Sequence, residues 1–224
     1  MSENGLYYIM GGVQGGSKIK ECIVSLSERC RENAKILYIG AAHGNDPTYE
    51  RGFTNSVKDT RLELDVLHLS EEDEHSADEQ RISTAFGNAD IIFFDGGEVS
   101  ALGKVFERYK LQDLCKAAFE RGASVGGLCA GGSYFASTVI HTSLEDDGAL
   151  YVDPGLGLIP DSAMTCYIGD RAQIQRLRTL ENVSYQRNET GVGVPINQVV
   201  TWEPEQGYKK LLDDALGPII YTPD

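Results

Sequence analysis

Long apolar runs are missing from this sequence. The longest, Leu6–Met10, is far short of the roughly 20 residues that cross a bilayer as a helix. A basic surplus is missing too: 20 Lys and Arg face 34 Asp and Glu, a formal net charge of −14. So acidic a surface repels phosphate backbones and anionic lipid, so neither a nucleic-acid nor a membrane partner is expected. Met1-Ser2-Glu3-Asn4-Gly5 lacks the basic-then-apolar layout of a secretory leader. The five cysteines are odd in number and none shows C-x-x-C spacing, which argues against a disulfide framework or a zinc site. A reduced, cytoplasmic protein without metal or cofactor is expected. Histidine is scarce (His43, His68, His75 and His141), and none follows His141. Apolar residues at 41% and charged residues at 24% match an ordinary globular chain. Its 224 residues suffice for a sizeable core, expected as one domain over 1–224, monomeric or homodimeric.

Short apolar runs alternate with helical stretches through the first two thirds. Leu6–Met10, Ile36–Ile39 and Ile91–Phe94 read as strands buried on both faces, the pattern of a parallel sheet. Leu62–Leu69 alternates apolar and acidic residues, which suits an edge strand. Ser17–Arg31 (with Ser17 as its cap), Pro47–Lys58, Ala77–Phe86, Glu98–Tyr109 and Leu111–Arg121 carry helical spacing. A further strand is expected near Ala123–Gly127 and a helix over Ser133–Thr138. Beyond Thr138 the pattern is less regular, with apolar segments at Leu156–Ile159, Val192–Ile196 and Gln198–Trp202. The alternation predicts an α/β fold, doubly wound, with a mainly parallel central sheet and helices on both faces. Glu71–Glu74 reads as a solvated loop and helix start.

Two glycine-rich segments follow strands. Gly11-Gly12-Val13-Gln14-Gly15-Gly16 does not fit G-x-G-x-x-G in either register and reads as a tight strand-to-helix turn. Gly127-Leu128-Cys129-Ala130-Gly131, between a strand and a helix, has the layout of a nucleophile elbow with Cys129 as nucleophile. Small flanking residues are needed because that turn is strained. The following helix start offers amides that favour a thiolate and a developing oxyanion.

The ordered set of Asp95-Gly96-Gly97, this elbow and Gly155-Leu156-Gly157-Leu158-Ile159-Pro160 resembles peptidase E, the α-aspartyl dipeptidases related to cyanophycinase. Tyr49 with Phe53, Arg171 with Arg176-Leu177, and Gly191-Val192-Gly193-Val194 are weaker echoes. The resemblance implies the class I glutamine amidotransferase-like fold and a hydrolase of small peptides or amides. It also implies a Ser-His-Glu triad, from which this chain departs at each position. Cys129 replaces the serine, Tyr167 stands at the histidine and Ile196 at the glutamate. Activity is therefore expected to be weak or altered; the alternative is a non-catalytic ligand-binding or reactive-cysteine member of the fold.

By the same resemblance, Gly96, Gly97, Ala130 and Gly131 form the oxyanion cleft, and Glu98, where the family has Asn, borders the nucleophile. Glu98 could hydrogen-bond the Cys129 sulfur or simply suit a helix start. Arg171 is the candidate for a substrate carboxylate, while Arg176 reads as a helix surface residue. Cys166 reads as a buried thiol that could resolve an oxidised Cys129 as a disulfide. Of the histidines, His68 and His75 read as surface residues. The sheet order that the resemblance implies puts His43 about three strand positions from the elbow, ~14 Å away, and the direction of His141 is open.

Overall fold

Side-chain alternation along β1 (Leu6–Met10) sets the layering: Leu6, Tyr8 and Met10 enter one apolar cluster, Tyr7 and Ile9 the other. The computed structural model describes residues 5–12, 16–70, 78–142, 149–168, 173–212 and 217–223. In chain order, β1 is followed by α1 (Gly16–Ser27), β2 (Lys35–Ile39), α2 (Pro47–Val57), β3 (Glu63–Val66), α3 (Glu79–Asn88) and β4 (Ile91–Phe94). Then come α4 (Val99–Tyr109), α5 (Leu111–Glu120), β5 (Ser124–Leu128), the one-turn α6 (Ala130–Ser133), β6 (Ala136–Thr142), β7 (Leu150–Pro154) and β8 (Ile159–Ile168). The chain closes with α7 (Gln173–Arg187), β9 (Thr190–Pro195), β10 (Val199–Glu203), β11 (Gly207–Lys210) and β12 (Ile219–Tyr221).

The first sheet runs β11-β10-β1-β5-β4-β2-β3, parallel from β1 to β3 and antiparallel at β10 and β11. Cys22, Ile23 and Leu26 of α1 and Phe53 of α2 cover one face; Ile82, Phe86, Leu102, Phe106 and Phe119 of α3–α5 cover the other. Helices on both faces of a mainly parallel sheet are the architecture read from the sequence. Fully burying a phenylalanine such as Phe93 or Phe94 contributes about 1.5–3 kcal/mol. Caps fix two helix starts: Asp46 accepts the Thr48 N–H at 2.7 Å ahead of Pro47, and Asp78 accepts the Arg81 N–H at 2.7 Å.

The last third departs from the sequence reading. Ser133–Thr138 is not a helix: α6 stops at Ser133, and the β-branched run Thr138-Val139-Ile140 lies in β6. There the chain builds a second sheet, β12-β9-β8-β6-β7. Met164 and Cys166 of β8 and Val192 and Val194 of β9 join the cluster that holds Phe94, so the two sheets share apolar interior. Leu180 and Val183 of α7 pack on Ile140 and Ala163 from the other side. Ser17 lies within α1 rather than capping it, and β3 occupies the sheet edge as its alternation predicts. The acidic run Glu71–Glu74 lies outside the described residues.

Candidate active site

At the end of β5, Cys129 turns the chain into α6 with φ 49° and ψ −113°. Such a conformation costs a residue bearing Cβ on the order of 1–3 kcal/mol and persists only where its surroundings dictate it. Here the Cys129 N–H donates to the Met10 carbonyl at 2.8 Å, and the Cys129 carbonyl accepts the Ser133 N–H at 2.8 Å. Gly131 lets α6 settle on the neighbouring strand end: a Cβ there would sit 2.1 Å from the Phe94 carbonyl oxygen. The elbow is present, and its cysteine is partly exposed.

Facing it is the loop after β4. Gly97 adopts φ 146°, and a Cβ at that position would meet the Ala42 carbonyl oxygen at 2.2 Å. The Gly96 N–H turns back onto Asp95 Oδ1 at 2.7 Å, and the Glu98 N–H donates to the Ala42 carbonyl at 2.8 Å. Gly97 is therefore the amide of this loop with no acceptor among the described residues. The Ala130 amide, across the cleft, lies beside the Cys129 sulfur and favours its charged form.

These groups line a cavity of about 550 Å³ that also takes in His43, Asp95, His141, Cys166 and Arg176. A second cleft of about 560 Å³, beside Gly103, Lys110 and Tyr134, has no cysteine or histidine among its lining residues. The first is the candidate site.

Within it, the Cys129 thiol is held below the ordinary cysteine range. The largest cause is a hydrogen bond from the Cys166 thiol, opposed by burial, then aided by the Ala130 amide and the Arg176 guanidinium; Asp95 works against it. Cys166 moves the other way, pushed well up by donating to Cys129 and by its own burial. Arg176 is a correction to the sequence reading: it is buried, not on the helix surface, and donates to the Cys166 carbonyl at 3.2 Å and to Thr142 Oγ1 at 3.0 Å.

Two histidines reach this cavity. Only β4 separates β2 from β5, so His43 is two strand positions away, about 10 Å, not three. Its Nδ1 accepts the Asp46 N–H at 3.1 Å, which leaves the proton on Nε2, 3.3 Å from Asp95 Oδ2 and 3.2 Å from the Tyr38 hydroxyl. Tyr38 also donates to Asp95 Oδ2 at 2.6 Å, completing a buried Tyr–Asp–His cluster with both imidazole nitrogens engaged. His141 differs. It shares a face of β6 with Val139, which packs on Val99 and Ala130 beside the elbow. Its Nε2 lies 2.8 Å from Asp153 Oδ2 and its ring stacks on Tyr151, whereas Nδ1 is buried without a hydrogen-bond partner among the described residues.

The other expected site residues fall as follows. Gly96, Gly97, Glu98 and Ala130 line the cavity with Cys129, while Gly131 packs behind the elbow. The carboxylate whose charge opposes the thiolate is Asp95. Tyr167 lies in β8, but its side chain is outside the described residues, as is Arg171. Ile196 follows β9 in a turn and does not line the cavity. Sequence reasoning left His141 and Asp153 without a role and put Arg176 on the surface. Reading 136–142 as a strand would have put His141 on the face of Val139, two residues from it.

The model of peptidase family S51 matches residues 8–208. No curated protein matches the sequence. Among solved structures, a peptidase from an acI-B1 Actinobacterium superposes with a TM-score of 0.72 at 15% identity, over 98% of this chain and 95% of that one. A protein from Listeria monocytogenes EGD-e described as a candidate peptidase E superposes with a TM-score of 0.60 at 11% identity, over 99% of this chain and 100% of the other. At these identities the two structures bear on the fold.

Proposed function

Because the chain belongs to peptidase family S51, we propose that it hydrolyses small peptides or amides through a cysteine nucleophile, Cys129, served by a base other than the family's histidine. The observation that carries this reading is Cys129 itself: a strained, partly exposed thiol in the turn that the resemblance assigns to the nucleophile, its charged form favoured by Cys166, Ala130 and Arg176. In this mechanism the thiolate attacks the scissile carbonyl, and the Gly97 and Ala130 amides receive the oxyanion. His141 holds the thiol proton on Nδ1 and returns it to the leaving amine, oriented by Asp153 at Nε2. His43 is not suited to that task, since both its nitrogens already hydrogen-bond. Water then hydrolyses the thioester.

The resemblance puts Tyr167 and Ile196 at the family's histidine and glutamate, and neither can act as part of an imidazole–carboxylate pair. Turnover of α-aspartyl dipeptides is accordingly expected to be weak. The test compares wild type, Cys129→Ala and His141→Gln on Asp-Leu and on a set of aminoacyl p-nitroanilides. Hydrolysis that disappears in Cys129→Ala and falls about 10²–10⁴-fold in His141→Gln supports the proposal. Equal rates in wild type and Cys129→Ala would sink the nucleophile. No hydrolysis of any substrate would place the non-catalytic, reactive-cysteine reading ahead.

A further inference from the structure

Two thiols meet in this cavity, and hydrolysis by Cys129 gives the second no covalent role. The Cys166 sulfur lies 3.7 Å from the Cys129 carbonyl oxygen and 3.8 Å from the Met10 carbonyl oxygen. Met10 is the same residue whose carbonyl takes the Cys129 N–H at 2.8 Å, so one backbone group fixes both cysteines. Both sulfurs line the cavity; Cys129 is partly open and Cys166 is buried behind it. The β8–β9 register shifts directly after Cys166, between Cys166 and Ile168. The remaining thiols, Cys22, Cys30 and Cys115, lie away from the cavity, on or just after helices, with burial pushing each one's pKa up.

We propose that Cys129 and Cys166 form a reactive and resolving thiol pair that reduces a small hydroperoxide and closes to a reversible disulfide. The Cys129 thiolate attacks one peroxide oxygen. An S–O bond forms, the O–O bond breaks, and the departing hydroxide or alkoxide takes up a proton as water or alcohol. Cys129 is then a sulfenic acid, oxidised by two electrons. The Cys166 sulfur attacks the Cys129 sulfur, the S–O bond breaks, and hydroxide leaves as water with the Cys166 proton. The disulfide is reset by an external dithiol, which takes its place as oxidised partner. While it stands, Cys129 cannot act as a nucleophile.

The proposal shares Cys129 with the hydrolase reading but needs no hydrolytic substrate to be read, so the two can fail separately. Reduced protein is treated with one equivalent of hydrogen peroxide at neutral pH, quenched in acid and mapped by peptide mass spectrometry. The expected product links Cys129 to Cys166, lowers the thiol count in denaturant from five to three (5 − 2 = 3), and returns to five with dithiothreitol. Cys166→Ser should instead stop at a dimedone-trappable sulfenic acid on Cys129, and Cys129→Ser should give neither product. Circular dichroism confirms that each variant is folded; for a variant that is not, time courses on wild type decide, with a Cys129 dimedone adduct preceding the disulfide. Oxidation first at Cys30, no bond between Cys129 and Cys166, or over-oxidation of Cys129 with Cys166 left reduced would each overturn the pair.

Discussion

The proposed reaction turns on the Cys129 thiol, and its neighbours act on it with opposite signs. Donation from Cys166, the Ala130 amide and the Arg176 charge outweigh burial and Asp95, so its folded-state pKa lies below that of a free cysteine. A depressed acid pKa stabilises the folded state above the unfolded value of ~8.5 and loses that contribution as pH falls through the folded one. The same shift appears in kinetics. The pH profile of iodoacetamide alkylation at Cys129 should have its midpoint below that of a cysteine in the denatured chain. Cys166→Ala should move that midpoint up further than Arg176→Met does, because the thiol is the larger of the two influences. A midpoint at or above the denatured value would mean that burial dominates and the thiolate is not prepared. Arg176→Met should also lower stability by about 1–3 kcal/mol, since the Cys166 carbonyl and Thr142 hydroxyl lose a charged donor.

At the level of elements, the elbow works because three chain segments press together without side chains between them. Gly131 sits against the Phe94 carbonyl, and Gly97 against the Ala42 carbonyl. Gly131→Ala forces α6 off the end of β4 and should cost about 1–3 kcal/mol, read as a drop in denaturation midpoint. Alkylation of Cys129 should slow in that variant, since the turn that presents the sulfur is displaced. An unchanged midpoint and alkylation rate would show that the elbow tolerates the bulk and is not under the strain inferred. β6 matters for a different reason. As a strand it alternates Ile140 into the α7 cluster and Val139 and His141 toward the elbow, which is how a residue twelve positions after Cys129 joins the cavity.

Across the whole molecule, the first sheet was readable because its strands announce themselves: Leu6–Met10, Ile36–Ile39 and Ile91–Phe94 are apolar on both faces, and the stretches between them carry helical spacing. The family resemblance, too, rested on glycines whose positions the backbone requires, and Cys129 followed from them. The second sheet was obscure because β8 runs Ile159–Ile168 with Pro160, Asp161 and Ser162 inside it, and a register shift breaks its alternation. Arg176 gave no sequence signal for burial; only the docking of α7 on β8 reveals it. His43 was misplaced because its distance was taken from the strand order that the resemblance implied, and in this chain only β4 separates β2 from β5.

The most direct test of the central claim, that Cys129 is the acylated nucleophile of a hydrolase, uses p-nitrophenyl acetate and intact-mass spectrometry at neutral pH. The account predicts a single acetyl group on Cys129, released over time by hydrolysis and missing in Cys129→Ala. Acetylation confined to lysines, or an adduct that forms equally fast in Cys129→Ala, would contradict it.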